Sequence, residues 1–246
     1  MRQGRLLDTV LLLLAVIIGG MSSALRVLCL HGKGSNVGRM SAQLQPLRDY
    51  LGPRATLELL PAPFPLNEAE QTSQWWILPE GQRSFEATSY KGDEESIALV
   101  EREIREKEID VVIGHSQGSM LLACVLARRQ QQQQQRPLGA ILSSPAWPLP
   151  HKALLSSTEV QAFSVVHAVF TVGAADKINP PSHTREMAAV FAAREPSRTH
   201  LFEHEGGHVL PTSPAALAFF DDKIFSVLFF PNKQHPKLIA VWHRYM

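Results

Sequence analysis

Apolar positions along this chain follow two different periods. Residues 25–30, 55–60, 110–113, 138–142, 165–172 and 198–203 form short, largely apolar runs bounded by glycine, proline or small polar residues, and read as strands. Between them the spacing turns helical. Residues 40–51 suit a helix interrupted at Pro46 and closed by Gly52-Pro53. Asp93-Glu94-Glu95-Ser96 opens a helix to about residue 108, with Ile97, Val100 and Ile104 on one face and a charged remainder facing water. Residues 119–127 are apolar on nearly every face, the mark of a buried helix. Ser182 or Thr184 is suited to cap a helix to about residue 193, and Ser213 or Pro214 to start a closing helix rich in Ala, Leu and Phe. Strands alternating with helices predict an α/β fold, a mostly parallel sheet with helices on both faces.

The pattern lapses in four places. Residues 61–92 lose regular periodicity and carry Pro61, Pro63, Pro65 and Pro79 with Phe64, Trp75, Trp76, Phe85 and Tyr90. So long a loop in a compact domain is functional or disordered, and the aromatics argue against disorder. Gln130 to Gln135 form a homopolymer between arginines, read as a tolerated surface loop without chemistry. Residues 1–24 place Arg2 and Arg5 before an apolar run from Val10 to Ile18 and then small residues. Two readings fit: a secretory signal, or an upstream segment preceding a true start at Met21. The run is shorter than the roughly 20 apolar residues of a membrane span, and a strand starting at Leu25 leaves no spacer after cleavage, which favours the cytosol. The tail, 231–246, carries no readable pattern, so the domain is expected over 25–230.

A length of 246 residues with 45% hydrophobic content suits one sizeable α/β domain. The formal net charge of +1, with no basic stripe, gives no footprint for nucleic acid. Two cysteines, Cys29 and Cys124, sit in predicted core elements and imply no disulfide framework.

In a parallel sheet, ligands bind beyond the carboxyl ends of the strands. The loops His31–Asn36, 61–92, Gly114–Gly118, Ser143–Pro150, Gly173–Pro181 and His204–His208 all leave strands at that end. Gly114-His115-Ser116-Gln117-Gly118 fits G-x-S-x-G between a buried strand and a buried helix, the setting of a nucleophile elbow. A serine hydroxyl needs an imidazole base, itself oriented by a carboxylate. Asp176 and His208 follow Ser116 in the order acid then histidine, each in a loop just after a strand. Asp110 stands at the wrong end of its strand, and Asp221 and Asp222 follow the histidine. His167 lies within a strand. His200 and His204 are nearer rivals, but Gly206-Gly207 suits His208 to a tight turn. The oxyanion donors are expected to be the backbone N–H groups of Gln117 and Lys33. A phosphate-loop reading of Gly32-Lys33-Gly34-Ser35 fails for want of the longer spacer and the preceding glycine.

His204-Glu205-Gly206-Gly207-His208 also spells the zincin motif H-E-x-x-H, so a zinc hydrolase is an alternative. That motif needs a continuous helix, in which two glycines cost about 2 kcal/mol. The residues before it alternate like a strand. No metal and no cofactor are therefore expected, and a non-catalytic binding module is the remaining alternative.

Leu28-Cys29-Leu30-His31-Gly32, Tyr90-x-Gly92 with Glu94-Glu95-Ser96, Gly114-His115-Ser116-Gln117-Gly118 and Gly207-His208-x-x-Pro211 together resemble the FSH serine hydrolases. That group includes the ovarian-cancer-associated protein 2 esterases and fungal thioesterases that release polyketides. The resemblance spans residues 25–228. It implies a compact α/β-hydrolase without extra leading strands, a Ser116-Asp176-His208 triad, and a small-molecule acyl ester or thioester as substrate. The N-terminal extension, the glutamine tract and the tail depart from it. Trp75, Trp76, Tyr90 and Trp147 either pack the rim loops onto the domain or line an apolar acyl cleft, where each buried methylene contributes about 0.8 kcal/mol.

Overall fold

The computed structural model describes residues 23–131, 138–157 and 165–229. Six strands form one parallel sheet in the order β2-β1-β5-β6-β7-β8. They are β1 (Leu25–Leu30), β2 (Ala55–Leu60), β5 (Val111–His115), β6 (Leu138–Ser143), β7 (Val165–Gly173) and β8 (Thr199–His204). The inner strands are near-continuous apolar runs because helices cover both faces. Val27, Cys29, Val111, Ile113, Ile141 and Val169 point to one side, against α1 (Val37–Gln43), α2 (Gln45–Leu51) and α7 (Pro214–Phe220). Leu28, Leu30, Val112, Ala140, Leu142 and Phe170 point to the other, against α3 (Asp93–Glu106), α4 (Gln117–Gln131) and α6 (Pro181–Arg194). Both cysteines are free and buried.

Helix ends follow local chemistry, with some departures from expectation. The predicted helix at 40–51 is two helices joined at Leu44, with Pro46 in the first turn of α2, where its missing N–H costs nothing. Ser213 Oγ accepts from the Ala216 N–H at 3.3 Å and Pro214 opens α7, so both expected start signals act. Neither Ser182 nor Thr184 caps α6. Pro180 precedes it without a side-chain cap, and Thr184 instead donates to the Pro145 carbonyl at 2.7 Å. The glutamine tract begins inside α4, and residues 132–137 lie outside the described residues, as do 1–22 and 230–246. The short helix α5 (Lys152–Ser156), a π-helical turn at Asp221–Phe225 and α8 (Ser226–Phe229) were not foreseen.

The segment 61–92 holds a small antiparallel hairpin, β3 (Phe64–Asn67) with β4 (Thr72–Gln74), apart from the main sheet. Pro65 inside β3 and the brevity of β4 hide it from periodicity. Ser73 pairs with the loop after β1: Gly34 N–H donates to Ser73 O and Ser73 N–H to Ser35 O, each at 3.0 Å. The strand order reverses between β1 and β5. In register, Leu30 stands beside Gly114, and His115 beside Ser143. The loop beginning at His31 and the turn at Ser116 therefore leave the sheet side by side at its switch point.

Candidate active site

Ser116 sits between the last residue of β5 and the first of α4 with φ of 54°. For a non-glycine residue this left-handed conformation is uncommon and strained. The Ser116 N–H donates to Ser143 O at 2.9 Å, and its carbonyl accepts from the N–H groups of Ser119 and Met120, which starts the helix. A Cβ at Gly114 would lie 2.6 Å from Gly118 O, and one at Gly118 only 2.4 Å from Leu30 O. Both glycines of the motif are thus fixed by lack of space. The loop after β1 also presses on Ser116, since a Cβ at Gly32 would be 3.1 Å from that of Ser116.

His208 Nδ1 donates to Asp176 Oδ2 at 2.7 Å, with side-chain exposures of 16% for the histidine and 2% for the acid. With the carboxylate as acceptor, Nδ1 carries the proton and Nε2 is left as the basic nitrogen. The other Asp176 oxygen accepts from the N–H groups of Ile178 and Asn179, at 2.8 and 3.0 Å. Asn179 Nδ2 donates to Ser144 O at 2.7 Å, which bolts the acid loop to the turn after β6. Ser144 is itself strained, with φ of 49°. The two loops meet because Gly173 has no side chain: a Cβ there would be 2.2 Å from Gly207 O. Gly206 and Gly207 are not left-handed; the room they were expected to provide comes from Gly173.

The His208 ring lies against His115, ring centres 4.9 Å apart, and so beside the nucleophile turn. Ser116 Oγ and His208 Nε2 share no hydrogen bond among the described residues, a bond that in unliganded sites often tightens only with substrate. Burial first, and the neighbouring His208 charge second, lower the pKa of His115 well below the ordinary imidazole value. His115 Nδ1 faces Ser143 Oγ at 3.2 Å. Burial also lowers the pKa of His31, partly offset by its bond to the Gly32 carbonyl.

A family model described as serine hydrolase (FSH1) matches residues 21–219. The chain belongs to this family. Among curated proteins, an esterase of Aedes aegypti is 29% identical over 208 residues, 77% of this chain and 71% of its own length. An esterase of Drosophila melanogaster is 27% identical over 217 residues, 81% of this chain and 74% of its own length. Two solved structures share the fold. Esterase PE8 has a TM-score of 0.61 at 17% identity, covering 83% of this chain and 95% of its own. Zea mays acyl-protein thioesterase 2 has a TM-score of 0.58 at 18% identity, covering 82% and 92%. The parallel α/β sheet expected from the alternating elements thus has the α/β-hydrolase architecture that the resemblance to the FSH serine hydrolases implied.

The zinc alternative, disfavoured by its two glycines, also lacks its helix. His204 ends β8 and residues 205–208 form no helix, so the H-E-x-x-H sequence does not place its histidines as a zincin helix does. Among the described residues the one group of three with converging ligand atoms is Asp93, Glu94 and His151, on other elements. Trp75 and Trp76 are 0% and 1% exposed and belong to the core, so in this structure neither lines a groove open to water. Tyr90 stacks on Trp76 at 4.6 Å, and Trp147, 4% exposed, donates to Glu186 at 2.9 Å. Of the two readings of these rings, burial favours packing for Trp75, Trp76 and Trp147, while Tyr90 is half-buried. Sequence reading missed the side chains of Asn179, Gln117 and His31, whose roles depend on contacts remote in the chain. No helix among the described residues is long and apolar enough to cross a membrane.

The buried histidines give stability a pH dependence of known sign. His31 and His115 have lowered pKa values in the fold, whereas unfolded histidine protonates near pH 6.5. Below that pH the unfolded chain binds more protons, so stability is full above about pH 6.5 and falls as pH drops, by at most about 1.4 kcal/mol per unit per group. The Tm is expected to be flat above pH 7 and to decline toward pH 5, less steeply in His115→Gln. A Tm that rises on acidification over this range would contradict the neutral, buried state of these rings.

Proposed function

We propose that this chain is a serine esterase or thioesterase that cleaves apolar acyl groups from carboxylic esters or thioesters through an acyl-enzyme, with Ser116, His208 and Asp176 as its triad. The observation that carries the reading is the buried Asp176–His208 bond of 2.7 Å set beside a serine strained out of the sheet at φ of 54°. In this mechanism Ser116 Oγ attacks the acyl carbon while His208 Nε2 takes its proton. The tetrahedral oxyanion is held by the backbone N–H groups of Gln117 and Lys33. His208 then returns the proton to the departing alcohol or thiol as the carbon–oxygen or carbon–sulfur bond breaks. Water repeats the sequence on the acyl-enzyme, and Asp176 keeps the imidazole in its productive tautomer throughout. The esterase names of the insect relatives support the substrate class.

In this reading residues 25–230 form the hydrolase domain, and residues 1–24 and 231–246 stand outside it. The same reading places the enzyme in the cytosol, because cleavage of a signal at Ala24 would leave no spacer before β1, with export through residues 1–24 as the alternative. With the tryptophans in the core, the acyl chain meets other residues. Leu66, Ile178 and Val209 are 45%, 52% and 45% exposed. Leu66 Cδ2 lies 3.7 Å from the Cβ position of Gly34, just after Lys33. Ile178 and Val209 stand two residues after the acid and one after the base. In this proposal these exposed apolar side chains, close in sequence to the acid, the base and the loop after β1, supply the apolar rim of the site.

Ser116→Ala is expected to abolish p-nitrophenyl ester hydrolysis. Asp176→Asn is expected to fold normally and lower kcat by up to about ten-thousand-fold, because the imidazole loses its orienting acceptor. An Asp176→Asn enzyme of near-normal kcat would show that another group serves as the acid.

Chain-length dependence tests the substrate class. With each covered methylene contributing up to about 0.8 kcal/mol, kcat/KM is expected to rise from acetyl to longer acyl esters. Ile178→Ser and Val209→Ser are expected to flatten that rise. A wild-type preference for acetyl would contradict an apolar acyl site.

A further inference from the structure

Trp75 is 0% exposed, yet every polar group it owns is bonded. Its main-chain N–H donates to Gln117 Oε1 at 2.8 Å, and its carbonyl accepts from the Ser96 hydroxyl. Its indole Nε1–H donates to the His31 carbonyl at 2.7 Å. The Gln117 side chain completes a two-point grip by donating from Nε2 to Trp76 O at 3.3 Å. Gln117 is 2% exposed, so this amide is held in a dry environment where a lost partner is costly.

These bonds join the two loops that carry the oxyanion donors of the proposed mechanism. On one side stands Gln117, first residue of α4. On the other, the indole pins His31 O, and the His31 ring acts on the next peptide. Its Nδ1–H donates to Gly32 O at 2.8 Å, while Nε2 accepts from the Ala62 N–H at 3.3 Å. Gly32 C=O and Lys33 N–H belong to one planar trans peptide and point in opposite directions. A carbonyl held by the imidazole therefore fixes where the Lys33 N–H aims. The pairing of Ser73 with Gly34 and Ser35 ties down the far side of the same loop.

Trp76 supplies an internal contrast. It is equally buried and stacked on Tyr90, but its indole Nε1 has no hydrogen-bond partner. Its side chain packs; that of Trp75 packs and donates. We infer that Trp75 is a positioning residue for the oxyanion hole, holding the Lys33 and Gln117 N–H groups at fixed separation through His31 O and the Gln117 side chain. This rests on the reading of Ser116 as nucleophile, and it assigns to Trp75 a part in the transition state without contact with substrate.

The test compares Trp75→Phe with Trp76→Phe. Each loses an indole, but only the first loses a hydrogen bond. Active sites are counted with a fluorophosphonate, and kcat, KM and inhibition by an aryl trifluoromethyl ketone, whose adduct bears an oxyanion, are measured per titrated site. Trp75→Phe is expected to lower kcat by about 10- to 100-fold, less than or equal to the loss of a whole oxyanion donor. Its KM should stay within about threefold, ketone binding should weaken with kcat, and the pH profile of kcat/KM should keep its inflection. Trp76→Phe should keep wild-type kcat per site whatever its Tm. Undiminished kcat and ketone affinity in Trp75→Phe, or an equal loss in Trp76→Phe, would overturn the inference. Should Trp75→Phe not fold, Gln117→Met, which keeps its main-chain N–H, is expected to show the same signature, and full kcat there overturns the inference. Wild-type protein unlabelled at Ser116 would overturn the proposed function along with it. A labelled wild type beside an unaffected variant would overturn the positioning role alone.

Discussion

Where β5 gives way to α4, strand and helix backbones approach so closely that no side chain fits at Gly114 or Gly118. The chain can make that turn only by sending Ser116 into the left-handed region, at about 1–2 kcal/mol for an L-residue. The surrounding core fixes the conformation. Val111, Val112 and Ile113 are fully buried in the middle of the sheet, and in the helix that follows every residue from Met120 to Ala127 is apolar and buried. The order β2-β1-β5-β6 then sets the loop after β1 against the same serine, with Gly32 near enough that a Cβ would crowd it. One steric constraint thereby positions both the candidate nucleophile and the loop expected to stabilise its oxyanion.

Asp176 and His208, the proposed acid and base, reach this point by a second close approach. β7 and β8 are paired to their ends, Gly173 beside His204, and the turn at Gly206-Gly207 rests where a Gly173 side chain would be. Asp176 is fixed by two backbone N–H groups and its loop by Asn179 before the carboxylate meets His208. The imidazole is therefore oriented by an acid that has little freedom of its own, the preorganisation on which triad chemistry depends. Burial holds the pKa of His115 below the ordinary imidazole value where its ring packs against His208.

Much of this was legible in one dimension because it depends on local sequence. Buried parallel strands read as short apolar runs, and the elbow glycines follow from crowding between chain neighbours. The order of serine, acid and histidine fixed which loops to compare. What stayed hidden depends on contacts far apart in the chain. Trp75 and Trp76 looked like candidates for an acyl cleft because large aromatics in a proline-rich loop suit either a groove or a core. Their burial depends on α3, α4 and Tyr90, which no local pattern encodes. The hairpin at Phe64–Asn67 was masked by Pro65, and the grip of Gln117 on Trp75 and Trp76 spans more than 40 residues. Gly173, which makes room for the histidine turn, carries no signal beyond the glycine itself.

The central claim is that Ser116 forms a covalent acyl intermediate, and the most direct measurement is its capture. Wild-type protein is mixed with a p-nitrophenyl ester, quenched in acid within the first turnovers, and analysed by intact and peptide mass spectrometry. The account predicts a single added acyl group on the peptide bearing Ser116, appearing with a burst of p-nitrophenol and absent in Ser116→Ala. Steady hydrolysis with the acyl group on another residue, or in the Ser116→Ala protein as well, would contradict it.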